Sequence, residues 1–148
     1  MQTFLPHRRY YESARVLDLS RLGKQVIEGG QIARALFDPD YGWQHHPAVC
    51  MWRGSETRLL AYTRACAREW QGRRGAIHGA WPNLLDWLTE RDIGGLPYQP
   101  APAWLGDERL HASHRSNLLR KDPIHYGRFG WAEPDNLPYW WPVRAGRT

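Results

Sequence analysis

The sequence predicts an all-α protein: a single compact domain of three main helices, with short helices and an aromatic, irregular C-terminal tail. Apolar residues recur at spacings of three and four over two long stretches, and glycines and prolines mark their ends. No run alternates apolar and polar residues as a strand would. The 148 residues are enough to bury one core, so we expect residues 1–148 to form a single domain.

The first main helix is predicted to begin after Asp18 and to end before Asp38-Pro39. Aspartate is a common helix N-cap, and the residue before a proline is disfavoured in a helix. The apolar residues of this stretch follow the helical period: Leu19, Leu22, Val26, Gly29, Ala33 and Leu36. We therefore expect an amphipathic helix here.

The second main helix is predicted from Pro47, because proline is tolerated in the first helical turn. It should run to about Trp70, where Gly72 and Gly75 end it. Its inward-facing residues would be Trp52, Leu59, Tyr62 and Cys66.

The rest of the chain carries shorter helical signals. In chain order we predict a short helix over Asn83–Arg91, an extended Leu96–Pro102, a third main helix over Asp107–Lys121 and a tail over His125–Thr148. The tail contains glycine, proline and aromatic residues without periodicity, so it should be a loop that packs through its rings.

Composition excludes several classes of protein. No run approaches the roughly 18 apolar residues that a membrane span needs, and the first residues lack the pattern of a signal peptide. Cys50 and Cys66 are sixteen positions apart in a predicted helix, or about 24 Å, so an unbroken helix would prevent a disulfide. We expect a cytoplasmic protein with reduced thiols and no membrane partner.

The charge favours a polyanionic partner. The net charge is +5, and of twenty basic residues only Lys24 and Lys121 are lysines. Arginine suits phosphate binding and stacks on bases, although a GC-rich genome explains the arginine content equally well. Nine tryptophans and seven tyrosines are also present. Most should be core residues, and a few exposed ones would stack on unpaired bases.

A polar stripe lies beside the apolar one on the first helix. Arg21, Lys24, Glu28 and Gln31 follow spacings of three, four and three, so they share one face. A solvated face with a Lys24–Glu28 pair is the alternative. The adjacent Gly29-Gly30 costs about 1 kcal/mol per glycine in a helix. Close backbone packing would explain the two glycines, and so would the approach of a DNA strand or the N-terminus to Glu28.

His45 and His46 precede the Pro47 helix. No acidic residue or cysteine lies at metal-ligand spacing from them, so we expect no metal and no cofactor. We expect His46 and the free N–H groups of the helix start to bind a phosphate, with an ordinary loop histidine as the alternative.

The third main helix is basic and leads into the aromatic tail. Its candidate phosphate donors are His111, His114, Arg115, Ser116, Arg120 and Lys121. The tail rings are Tyr126, Phe129, Trp131, Tyr139, Trp140 and Trp141. A basic helix beside aromatic rings is typical of nucleic-acid binding, although mixed-charge helices are common in other proteins.

These motifs resemble the pyrimidine-dimer DNA glycosylase family, the endonuclease V-like enzymes. The resemblance rests on Lys24-x-x-x-Glu28-x-x-Gln31, His46-Pro47 and His111-x-Ser113, which occur in the family's order. A closer similarity, over nearly the whole chain, is to a bacterial branch that begins MQTFLP and carries RLGKQ, HP and SHRSNLLRK motifs.

The resemblance implies an all-α fold and a mechanism that uses an amine. In the family a free α-amino group attacks the sugar C1′, displaces the base, forms a Schiff base and nicks the strand by β-elimination. By motif position the catalytic glutamate is Glu28, which Lys24 would orient. Methionine removal usually needs a small second residue, and Gln2 is large, so the nucleophile would be the amine of Met1.

The resemblance also implies the partner, a double-stranded DNA that carries a lesion or a modified base, bound by a monomer. The expected DNA contacts are Arg21, Gln31, His46, His111, His114, Arg115, Arg120, Lys121 and Tyr126, and the tail aromatics would occupy the gap left by a flipped base. Ile27 and Gln31 stand where the family has arginines, so the lesion stays open. The alternative function is a non-catalytic binder of single-stranded or distorted nucleic acid. A metal-dependent nuclease is disfavoured because acidic residues are not clustered.

Overall fold

A computed structural model describes residues 1–143, and within that range the chain is entirely helical, without strands. The helices are α1 (Tyr10–Val16), α2 (Leu19–Phe37), α3 (Pro47–Cys50), α4 (Glu56–Arg74), α5 (Ala80–Glu90), α6 (Glu108–Lys121) and α7 (Pro123–Tyr126), followed by a 3₁₀ turn (Gly127–Phe129). The all-α prediction is confirmed. None of these helices combines the length and the apolar character needed to cross a bilayer.

Helix α2 has the predicted bounds and is the centre of the fold. Asp18 caps it by accepting a hydrogen bond from the Arg21 N–H at 3.3 Å. A Cβ added at Gly29 would lie 2.3 Å from Oγ1 of Thr63 on α4, so close packing of α2 on α4 explains this glycine. Nothing lies within 4 Å of the same position on Gly30, so packing does not require that one.

The prediction of one helix from Pro47 to Trp70 was wrong. The stretch is divided into α3 and α4 by a turn over residues 51–54, where Gly54 has a φ of +86° that favours glycine. Helix α4 then continues through Gly72 and ends at Gly75, whose φ is +74°. The apolar spacing could not show this break because Trp52, in the turn itself, is fully buried.

Two further predictions needed correction. Helix α1 was not predicted, and α5 begins three residues earlier than expected. The tail is not a loop from His125 onward, because Asp122 caps α7 by accepting the His125 N–H at 3.0 Å and Pro123 occupies its first turn. From residue 130 the described tail is irregular, and its rings pack against the helices, as Trp131 does on Tyr126 at 5.7 Å between centroids. The last five predicted tail residues lie outside the described range.

Residues 2–6 have no regular secondary structure, yet all five are buried. This N-terminal segment passes between α2, α4 and α6. Its polar backbone groups must therefore be satisfied by side chains of the surrounding helices, because buried unpaired N–H and C=O groups are costly. Those side chains determine where Met1 lies.

Candidate active site

Helix α6 holds the outer half of the N-terminal segment by three side chains. The Leu5 N–H donates to Nδ1 of His114 at 2.8 Å, and Nδ1 of His111 lies 2.7 Å from the Leu5 carbonyl oxygen. Arg115 donates from Nη1 to the Pro6 carbonyl oxygen at 2.7 Å. These bonds set both the position and the direction of the segment.

Helices α2 and α4, with the turn between α3 and α4, hold the inner half. The Phe4 N–H donates to Oε1 of Gln25 at 2.7 Å. The Tyr62 hydroxyl lies 2.6 Å from the same Gln25 oxygen and 2.7 Å from the Phe4 carbonyl oxygen. Nε1 of Trp52 donates to Oγ1 of Thr3 at 3.0 Å. With both halves held, Met1 is left partly buried at the end of a fixed segment.

Met1 opens onto a cavity of about 390 Å³, which lies within the size range of small-ligand sites. The segment, the first half of α2, the end of α6 and the tail each contribute to it. Its lining residues are Met1, Gln2, Phe4, Ser20, Arg21, Lys24, Gln25, Glu28, Lys121 and Tyr139. Met1 and the two lysines of the sequence, Lys24 and Lys121, line this cavity together with one carboxylate, that of Glu28.

Glu28 is held in place by Gln25, one helical turn earlier. Oε2 of Glu28 accepts from Nε2 of Gln25 at 3.1 Å. The amide cannot be turned over, because its oxygen already accepts the Phe4 N–H. Gln25 therefore connects the carboxylate to the N-terminal segment. Sequence reasoning missed this residue, although its spacing of three from Glu28 was a usable signal.

Gln2 and Tyr139 are two further lining residues; Gln2 was not predicted as a site residue, and Tyr139 was predicted only as one of six tail rings. Oε1 of Gln2 accepts the Thr3 N–H at 2.9 Å, whereas its Nε2 is buried without a hydrogen-bond partner. Tyr139 comes from the aromatic tail, where no periodicity indicates which ring turns inward. Nothing in the local sequence could have identified it.

The predicted cations of the cavity differ in their partners. Arg21 pairs with Asp18 at 3.1 Å, whereas Lys24 and Lys121 are exposed at the cavity. Within residues 1–143 no ion pair joins Lys24 to Glu28. With three cationic side chains and one carboxylate, the lining is electropositive and suited to an anionic ligand.

His46 is the N-cap residue of α3. Its Nδ1 accepts the Ala48 N–H at 3.0 Å, which requires an unprotonated nitrogen. Burial, and then the positive charge of the N-terminal amine, lower the pKa of His46. Its ring lies between two indoles, Trp43 at 5.8 Å and Trp141 at 6.1 Å between centroids. His46 is therefore a neutral imidazole within the electrostatic influence of the N-terminal amine.

Two predicted DNA contacts lie away from this cavity lining. Gln31 lines a separate cavity of about 220 Å³ with Arg34 and Tyr41, between α2 and α5. Arg120 is exposed, and its guanidinium donates to Asn117 and to the Asp135 carbonyl oxygen. No cluster of three or more histidine, cysteine, aspartate or glutamate side chains able to hold a metal ion occurs in the described chain.

Four predicted DNA contacts have structural partners instead. His114 is fully buried, and burial lowers its pKa to about 3. His111 is buried too, and its Nε2 accepts the Gly106 N–H at 3.0 Å. Arg115 pairs with Glu108 and Glu133, and the buried Tyr126 hydroxyl bonds the Asp18 side chain. The fold already uses these groups in its own contacts, and DNA contact by these four residues stays a prediction.

Comparison with known proteins gives one match. A family model described as pyrimidine dimer DNA glycosylase matches residues 1–83, more than half of the chain. The chain belongs to this family. It is therefore a DNA glycosylase, an enzyme of DNA repair. The matched part includes the N-terminal segment and α1–α4, whereas α6 and the tail lie beyond it. No curated protein and no solved structure matches the chain.

Proposed function

We propose that this glycosylase releases a damaged or modified base from double-stranded DNA and then cleaves the strand at the abasic site. The α-amine of Met1 is the nucleophile, and Glu28 is the acid–base group. One observation carries this proposal: Met1 and Glu28 line the same cavity, and Gln25 bonds both the Glu28 carboxylate and the segment that ends in Met1.

The first step forms a bond between the amine nitrogen and the sugar C1′. The bond from C1′ to the base breaks, and its electron pair leaves with the base, which takes a proton from Glu28 acting as general acid. Glu28 next carries a proton from the attached nitrogen to the ring oxygen. The bond from C1′ to that oxygen breaks, and a protonated Schiff base forms.

The second step uses the Schiff base to nick the strand. The Glu28 carboxylate, left without a proton by the first step, takes a proton from C2′, and the electron pair of that C–H bond expels the 3′ phosphate by β-elimination. Water then hydrolyses the Schiff base and releases the enzyme from the sugar. Lys24, Lys121 and Arg21 supply positive charge around the reacting sugar, where phosphates flank it on both sides.

Three amines compete for C1′ in this cavity. α-Amino groups titrate roughly two pKa units below lysine side chains, so at neutral pH about a hundredfold more of an α-amine is free base. Lys24 and Lys121 are therefore expected to act as cations, and Met1 as the nucleophile.

Borohydride trapping on a duplex with an abasic site tests the assignment, because reduction makes a Schiff base permanent. Lys24→Arg and Lys121→Arg keep the charge and remove an amine, so both variants should still be trapped. Trapping should disappear when the α-amine is acetylated. An adduct mapped to Lys24 by mass spectrometry would make Lys24 the nucleophile. No adduct on any abasic DNA would contradict the lyase activity and leave a monofunctional glycosylase or a non-catalytic binder.

The base is identified by a second experiment. Oligonucleotides carrying a cyclobutane dimer, another damaged base or a modified base are incubated with the enzyme, and base release is measured. The family assignment makes the cyclobutane dimer the first substrate to try.

A further inference from the structure

Trp43 is exposed to an unusual degree. Its side chain is 56% exposed, whereas each of the other eight tryptophans is buried or half-buried. Indole carries the largest apolar surface of any side chain, and the fold covers most of that surface in each of the other eight tryptophans. The exposure of Trp43 therefore calls for a partner outside the chain.

The backbone of Trp43 is also strained. Its φ is +72°, in the left-handed region that large side chains rarely adopt. The only other non-glycine residue of the described chain with a positive φ is Asp92, a residue type that tolerates it. Strain of this kind persists where the surrounding structure imposes it, and it concentrates at functional sites.

The neighbouring residues impose this conformation. The Trp43 carbonyl oxygen accepts the His46 N–H at 3.0 Å. Nε2 of Gln44 lies within 2.8–2.9 Å of three carbonyl oxygens, those of Ala35, Asp38 and Tyr41. The loop is thereby attached to the end of α2, and the indole is held outward.

The indole lies at one end of a row of rings that leads to the cavity. It meets His46 edge to face at 5.8 Å between centroids. The His46 ring in turn lies 6.1 Å from Trp141, and Trp141 lies 6.0 Å from Tyr139, which lines the cavity. The tail rings near the cavity are already engaged: Tyr139 packs on Phe4 and His114. Of the rings in this row, Trp43 therefore has the most free surface.

We propose that Trp43 stacks on the DNA bases at the lesion and fills the gap left when the damaged nucleotide enters the cavity. This inference rests on the proposed function and names the residue that opens the duplex. Apolar side chains inserted between base steps act in this way in other DNA-binding proteins, and aromatic stacking on a base is independent of sequence. The loop that holds Trp43, which lies outside helix α2 and its Glu28, would then give the enzyme its preference for a distorted duplex.

Trp43→Gly tests the proposal, because glycine suits a φ of +72° and lacks only the ring. We expect its melting temperature to equal or exceed that of the unchanged protein. Its preference for a duplex with a tetrahydrofuran abasic analogue over the same undamaged duplex should fall at least ~10-fold, and Trp43→Phe should restore part of it. Tyr98→Ala, which removes a ring 73% exposed and away from the cavity lining, is the matched control and should not change the preference.

Two results would overturn the proposal. An unchanged lesion preference in Trp43→Gly would show that the ring does not contact DNA at the lesion. A lower melting temperature together with equal loss of affinity for both duplexes would show a structural role. The tetrahydrofuran analogue cannot form a Schiff base, so this measurement stands even if borohydride trapping fails and the proposed chemistry is wrong.

Discussion

Helices α2 and α6 carry similar polar residues but use them in opposite ways. On α2, Lys24 and Glu28 face an open cavity. On α6, His111, His114 and Arg115 bind the backbone of the N-terminal segment. The residue types predicted DNA contact for both helices. The α2 set faces a space that a ligand can enter, whereas on α6 it is Lys121, at the end of the helix, that reaches the same cavity.

The difference shows that the polar residues of α6 and those of α2 have two separate roles, one structural and one at the cavity. Helix α6 fixes the segment, and α2 presents a carboxylate to the cavity in which the segment ends. A change at Glu28 should therefore affect the reaction and leave stability alone, whereas a change at His114 should affect stability first. The following predictions separate these two effects.

Glu28→Gln should give the largest effect. The amide keeps the shape and can still pair with Gln25, but it cannot transfer a proton, so base release should fall at least ~100-fold. DNA affinity and melting temperature should change little. Glu90→Gln, at the end of α5, is the matched control. Normal base release by the Glu28 variant would show that this carboxylate takes no part in the reaction.

His114 should make the protein sensitive to acid. The pKa of His114 is about 3 in the folded chain, against 6.5 when unfolded. Its contribution to the free energy of unfolding is therefore complete above pH 6.5 and is lost as the pH falls towards 3. At pH 5 the expected loss is about 2 kcal/mol in the free energy of unfolding. In His114→Asn, Oδ1 can still accept the Leu5 N–H, but nothing titrates at this position. Urea unfolding at pH 7 and pH 5 should show a smaller loss in this variant, and equal losses would contradict the assignment.

The paired glycines of α2 should respond differently to alanine. Gly29→Ala brings a methyl group against Thr63 and should lower the free energy of unfolding by about 1–3 kcal/mol. Gly30→Ala meets nothing within 4 Å and should raise it by up to about 1 kcal/mol through helix propensity. Thermal unfolding of the two variants checks this, and equal effects would remove close packing as the explanation for Gly29.

Lys121→Gln should have the smallest effect. This exposed lysine at the cavity is expected to contact one phosphate, so removing its charge should weaken binding to all DNA sequences alike. The slope of log K against log salt concentration should shrink by about 1, while Lys121→Arg should keep it. An unchanged slope in the glutamine variant would place Lys121 outside the DNA contact.

The sequence by itself determined α2 and the polar stripe that includes Glu28. Helical spacing, an N-cap and an X-Pro boundary are local features, so they predicted the bounds of α2 and placed Arg21, Lys24 and Glu28 on one face. Spacing failed between α3 and α4, because one glycine turn interrupts residues that are buried on either side of it.

Only the tertiary structure decided which polar side chains remain free. The Leu5 N–H finds its acceptor on His114, 109 positions later, and no local pattern encodes a bond of that range. The same bonds bury the N-terminal segment and end it at the cavity of Glu28, where Gln2 and Tyr139 complete the wall. A sequence states which donors and acceptors a chain possesses, but long-range packing determines which of them are satisfied within the fold and which are left for a ligand.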